Sequence, residues 1–147
     1  MLPIGRADEA ATIRCVNADL PQGDRISAWR EHLSRLLMGV EFRPDPPSSN
    51  FDGETVARPL HDMQLLKMTF TAGQIVRRAS RREGSGYFLM HVNFDGVVAV
   101  SAMGRQLTLN EGDVVLLDGA HPFTIHRQET GSSSVVRIPR GRMAQLV

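Results

Sequence analysis

The apolar periodicity of this chain changes once, at Val40, and that change governs what the chain can fold into. Before it, one segment repeats its hydrophobic residues at helical spacing. Beyond it the spacing is two, in short runs broken by turn residues. The runs are Thr55 to Arg58, Met63 to Thr71, Gln74 to Arg78, Tyr87 to Phe94, Val97 to Met103, Gln106 to Leu109, Val114 to Leu117, Phe123 to Arg127 and Ser134 to Ile138. Between them stand turn formers such as Thr71-Ala72-Gly73, Gly84-Ser85-Gly86, Met103-Gly104-Arg105 and Asn110-Glu111-Gly112-Asp113. Many short strands at regular spacing predict an all-β sandwich or barrel from about Val40 to Pro139. Asp95-Gly96, flanked by apolar runs, predicts a two-residue hairpin, because both central positions of such a turn need positive φ. The segment Gly104 to Asp118 predicts two hairpins in succession.

The one predicted helix runs from about Asp24, a good N-cap, to Met38, with Gly39 placed for a left-handed C-cap. Ile26, Trp29, Leu33, Leu36 and Leu37 share one face, and Arg25, Arg30, Glu31 and Arg35 the other. Such a helix lies on apolar surface with Trp29 as its anchor. The Pro- and Ser-rich stretch Arg43 to Asn50 is expected to be a loop. The chain therefore divides into an N-terminal arm, residues 1–23, partly disordered with one short strand near Thr12 to Val16, and a domain over 24–147. That domain comprises the helix (24–38), the β region (40–139) and the start of a closing helix (140–147).

A net charge of +1 gives no bulk positive field for nucleic acid or a membrane surface. Cys15 is the single cysteine, which excludes an internal disulfide and a cysteine-rich metal site. The first twenty residues carry Asp8, Glu9 and Asp19 and lack the apolar stretch of a secretory signal. No run approaches the roughly 18 apolar residues of a spanning helix. A cytoplasmic location is expected. No Gly-x-Ser-x-Gly, phosphate loop or Cys/His pair is present, so nucleophilic and phosphoryl chemistry have no visible apparatus. The histidines are His32, His61, His91, His121 and His126, with no His-x-His among them, so no metal site and no cofactor are expected. His91 and His126 could meet across a barrel, with Glu129 nearby, but two histidines and a loop carboxylate make a poor site.

Gly104-Arg105-Gln106-Leu107-Thr108-Leu109-Asn110-Glu111-Gly112-Asp113-Val114-Val115-Leu116-Leu117-Asp118 is the most informative segment. It resembles the G-R-x-x-x-L-x-P-G-D-x-x-L-x-D pattern of the sensor domains of AraC/XylS-type transcription regulators. Ile75-Val76-Arg77-Arg78-Ala79-Ser80 is similar to that family's V-x-R-[TS] strand, and Val135-Val136-Arg137-Ile138-Pro139-Arg140 to its closing L-x-L-P-R. The resemblance spans about residues 24 to 147. It implies a mainly β fold: a cupin-like antiparallel jelly-roll β-barrel preceded by one amphipathic helix. It also implies a non-catalytic domain that binds a small-molecule effector and forms a homodimer. DNA would be contacted only through a C-terminal helix-turn-helix region outside this chain. Two other readings stand beside it: a small cupin-fold enzyme of isomerase or dioxygenase type acting on a sugar or organic acid, and an interaction module that dimerises without ligand.

Candidate effector contacts follow from strand faces. Tyr87 and His91 lie on the mixed face of their strand; Phe88 and Met90 lie on its apolar face and would line the pocket instead if that face points inward. Thr124 and Ser134 offer hydroxyls from later strands. Within Arg77-Arg78-Arg81-Arg82, Arg78 matches the family arginine and would grip an anion through its guanidinium fork. The cluster as a whole reads rather as a solvated strand end and loop, with Arg78 the exception.

Overall fold

The computed structural model describes residues 13–16, 19–45, 51–78 and 86–146. Most of residues 1–23, the stretch 46–50 expected to be a loop, and residues 79–85, with Arg81, Arg82 and the expected Gly84-Ser85 turn, lie outside the described residues. Among the described residues there are eleven strands and two helices: β1 (Ile13–Val16), α1 (Gln22–Leu36), β2 (Glu41–Pro44), β3 (Gly53–Leu60), β4 (Met63–Phe70), β5 (Gly73–Arg77), β6 (Tyr87–Asn93), β7 (Val98–Ala102), β8 (Arg105–Leu109), β9 (Val114–Asp118), β10 (Phe123–Arg127), β11 (Gly131–Pro139) and α2 (Arg140–Leu146). The strands form two sheets, a six-stranded one in the order β1-β3-β4-β11-β6-β9 and a five-stranded one in the order β2-β5-β10-β7-β8. Every pairing is antiparallel. From β4 onward the chain passes back and forth between the sheets, which makes a cupin-like jelly roll.

Period-two burial puts one face of each strand between the sheets. On β4 these are Leu66, Met68 and Phe70, on β10 Phe123, Ile125 and Arg127, and on β6 Leu89, His91 and Asn93. The inward face of β6 is thus the mixed one. Phe88, Met90 and Val92 are half-buried on the outside, and Phe94 is exposed. Polar groups go in because Arg127 is there: its guanidinium, 1% exposed, donates to Asn93 Oδ1 (2.6 Å), Ser133 Oγ (2.7 Å) and the Asp95 carbonyl (2.7 Å). A buried cation is tolerable only when its donors are matched in this way.

Two turn expectations are corrected. Asp95-Gly96 does not close a hairpin, since β6 and β7 belong to different sheets and only Gly96 is left-handed (φ 70°). The Asp95 carboxylate instead accepts from Ser132 N (2.7 Å) and Oγ (3.0 Å), tying the crossing to β11. Likewise β8 and β9 do not pair; Asn110 to Asp113 carries the chain between sheets, and the Asn93 amide donates to the carbonyls of Gly96, Leu109 and Asn110. The two-residue hairpins are at His61-Asp62 and Met103-Gly104, the latter with both residues at positive φ. Arg43 and Pro44, expected in a loop, end β2, an edge strand, where proline costs no ladder bond.

The helix starts earlier than its sequence signals, at Gln22, with Pro21 rather than Asp24 at the N-cap and Asp24 in the first turn. Both Met38 (φ 60°) and Gly39 (φ 85°) are left-handed after it. α1 packs on β2 and β3 through Trp29, Leu33, Leu36 and Leu37. The Trp29 ring, fully buried, meets Phe42 of β2, Phe51 ahead of β3 and Phe70 of β4 at centroid distances of 6.0, 5.7 and 5.7 Å. Its indole N–H has no partner among the described residues, and the ring is held by apolar contact. Trp29→Ala is expected to cost about 3–5 kcal/mol in urea unfolding; a loss under about 0.5 kcal/mol would contradict this packing.

Candidate functional site

The two sides of the sandwich differ. On one, α1 covers the gap between β2 and β3. On the other, the edge strands β8 and β9 leave a cleft of about 430 Å³ between the sheets. Val100, Leu107, Val115, Leu117 and Phe123 make its apolar walls, with Ala102 beside them. Met103 and Arg105 of the β7–β8 hairpin, and Asp118, His121 and Pro122 of the β9–β10 turn, form its mouth. The volume is in the range of small-molecule sites, and the combination of apolar walls with a few polar groups is their usual make-up.

Strand geometry explains the opening. Leu107 shares the inward parity of Leu109, yet it is 47% exposed while Leu109 is buried, because no strand covers the end of the sandwich beside it. At the mouth, Asp118 accepts a hydrogen bond from the Arg140 guanidinium and another from Ala120 N (2.9 Å). The Arg140 hydrogen bond, assisted by that of Ala120, holds the Asp118 carboxyl below its ordinary range. Arg140 opens α2 and lies over the Phe88 ring at 4.4 Å, and its own N–H donates to the Gly86 carbonyl (2.8 Å). The mouth and the start of α2 are therefore one connected unit. His121 Nε2 is 3.9 Å from Asp118, too far for a hydrogen bond.

One family model matches the chain, that of the AraC-binding-like domain, over residues 29–147. The chain belongs to the AraC-binding-like domain family. A crystal structure of the AraC-like transcriptional activator CuxR superposes with a TM-score of 0.76 at 16% identity, over 88% of this chain and 48% of that one. The chain thus spans about half the length of CuxR. A cupin superfamily protein from Desulfitobacterium hafniense superposes at 0.50 with 10% identity, over 59% of this chain and 77% of that one. An RmlC-like cupin from Shewanella frigidimarina gives 0.49 with 13% identity, over 68% and 84%. No curated protein matches by sequence.

In this AraC-binding-like domain none of the seven side chains singled out from sequence lines the cleft. Tyr87 and His91 face the interior, and Arg137 lies over the Tyr87 ring at 4.9 Å. Phe88 and Met90 lie on the outer face of β6. Thr124 is on the outer face of the five-stranded sheet, in a shallow groove with Gln74, Thr108 and His126. Ser134 is outside the other sheet, opposite Lys67 and Val92. Arg78 points outward and pairs with Glu41 at 3.2 Å. The inward arginine is its neighbour Arg77, which donates to the carbonyls of Gly119 and Met38. Arg137 likewise donates to the Leu36 carbonyl (2.6 Å), so two arginines satisfy the C-terminal end of α1. The mouth residues Arg105, Asp118 and His121 were not singled out, although Arg105 and Asp118 lie within the very segment that carries the family resemblance.

His91 faces inward from β6 and His126 outward from β10, so they do not meet, and His126 pairs with Asp45 at 3.0 Å. Among the described residues no three His, Cys, Asp or Glu side chains come together to hold a metal ion. His91 is 1% exposed and neither ring nitrogen has a hydrogen-bond partner among the described residues. Its register partners are Val135 and Val115, so it lies one strand behind the cleft wall. Burial, and secondarily the charge of Arg127, lower its pKa to about 4. The unfolded chain then binds the extra proton between about pH 4 and 6.5, so stability is fully present above pH 6.5 and is lost as pH falls through that window. At 1.36 kcal/mol per pH unit the difference amounts to about 3 kcal/mol. His32, bonded to Thr55 Oγ1 and lowered by burial and Arg35, adds in the same direction. Urea unfolding from pH 7 to 4.5 should show this fall, and His91→Leu should flatten it; an unchanged slope in the variant would contradict a neutral buried His91.

Proposed function

We propose that the chain is the effector-binding regulatory domain of an AraC-type transcription regulator, with the cleft between β8 and β9 as its small-molecule site. The observation that carries this reading is the union of the cleft mouth with α2: Asp118 lines the one and holds the first residue of the other. Family membership and the CuxR-like fold support it. A ligand seated at the mouth touches the Asp118–Arg140 pair. It then shifts the position of α2 to the extent that it binds one arrangement of that pair better than another.

In this reading the domain performs no chemistry of its own, works in the cytoplasm and acts as a homodimer. DNA is contacted through a helix-turn-helix region beyond α2. The net charge of +1 fits a domain that does not itself bind DNA. No described helix is long and apolar enough to cross a membrane. His91 and Tyr87, on the interior face behind the cleft, are proposed to shape its depth rather than its mouth.

The test is binding with a blocked control. A small-molecule screen by thermal shift should find ligands that raise the unfolding temperature, since binding to the folded state alone stabilises by about 2.7 kcal/mol at a hundred times Kd. Ala102→Phe, which fills the cleft from its wall, should weaken those ligands more than tenfold while leaving the circular dichroism spectrum intact. Ligands that bind the variant as tightly as the parent would place the site elsewhere.

A further inference from the structure

We propose that the cleft takes an organic carboxylate: an apolar aromatic or aliphatic body in the cleft, with its carboxylate at the mouth against Arg105. The proposal rests on the cleft being the ligand site and goes on to name the ligand's chemistry.

The walls decide the body. Val100, Leu107, Val115, Leu117 and Phe123 offer no side-chain donor or acceptor. A sugar would bring several hydroxyls into such a site and leave them unpaired, at a cost no wall residue offsets. An apolar body loses nothing there and gains by leaving water.

The mouth decides the charge. Its single carboxylate, Asp118, is already matched by Arg140 and Ala120 N. Arg105 stands on the same mouth and makes no hydrogen bond or ion pair with a described residue, in contrast to Arg77, Arg127, Arg137 and Arg140. The mouth thus holds the Arg105 guanidinium beside a carboxylate that Arg140, behind it, already matches, and His121 adds a ring nitrogen with no hydrogen-bond partner among the described residues. Arg105 is exposed and free of protein partners, so a carboxylate carried on an apolar body can replace the water on its planar fork with two parallel bonds. A cationic ligand would meet net repulsion there. By contrast, the groove beside Thr124 and His126 has polar walls and no free cation, and His126 is committed to Asp45.

The experiment compares two probes with the same body, 2-naphthoate and 2-naphthylmethanol. Calorimetry would be run on the parent chain, Arg105→Gln and Ala102→Phe, with circular dichroism as the folding control. Naphthoate is expected to bind the parent more tightly than the alcohol by about ten- to a hundredfold, the worth of one charge-assisted hydrogen-bonded contact. Arg105→Gln should remove that advantage and leave the alcohol's affinity unchanged, and Ala102→Phe should abolish both. Equal binding of the two probes, or a naphthoate advantage that survives Arg105→Gln, overturns the carboxylate while the cleft stands, provided Ala102→Phe still blocks binding. Binding that survives Ala102→Phe, or no binding of either probe, overturns the cleft and the carboxylate together.

Discussion

Trp29 enters the sandwich from one side and touches both sheets at once, through Phe42 on the five-stranded sheet and through Phe51 and Phe70 beside the six-stranded one. Two sheets joined only by crossing loops would otherwise be free to slide, since no ladder links them on that side. The ring is also the reason for Gly53: a Cβ there would lie 2.6 Å from the indole, and one at Gly73 would lie 2.5 Å from Phe42. The helix, the start of β3 and the start of β5 are therefore matched parts of one aromatic contact. Four buried aromatic side chains are removed from water in this one contact, each with a large apolar area.

With that side filled by the helix, the interior can accept polar groups without losing order. Arg127 gathers β6, β10, β11 and the β6–β7 crossing through hydrogen bonds from both terminal nitrogens, and it lies over Phe70, so it continues the aromatic contact into the polar interior. Gly131 is needed beside it, because a Cβ there would lie 1.9 Å from Nη1. The two arginines under the end of α1, Arg77 and Arg137, close the remaining space on that side. What stays open is the gap between the edge strands β8 and β9, where Leu107, Met103 and Leu116 remain exposed. The cleft is thus a consequence of asymmetric filling: a helix on one side and nothing on the other.

The position of α2 follows from the same asymmetry. β11 runs through the middle of the six-stranded sheet and delivers Arg140 at the end where the cleft opens, next to Asp118 of β9 and Phe88 of β6. A signal from the cleft to whatever α2 contacts would have one side-chain pair to cross. Coupling over so short a path needs no long relay through the core.

By itself the sequence determined the class of fold. The change of period at Val40 marked the β region, the stripe of Ile26, Trp29, Leu33, Leu36 and Leu37 marked the covering helix, and the ordered motifs from Ile75 to Arg140 marked the family. These are local patterns, and local patterns survive in a linear reading because period and turn chemistry act over a few residues. Which turns are hairpins and which cross between sheets was not legible, since Asp95-Gly96 and Met103-Gly104 look alike until their strands have partners. Nor was it legible that Arg77 rather than Arg78 goes inward, because a shift of one residue reverses every side chain on a strand. The cleft was least legible of all. Arg105 comes from the β7–β8 hairpin, Asp118 and His121 from the β9–β10 turn, and Arg140 from a third place in the chain. Only the packing of the two sheets, closed by a helix on one side and left open on the other, brings them to one mouth.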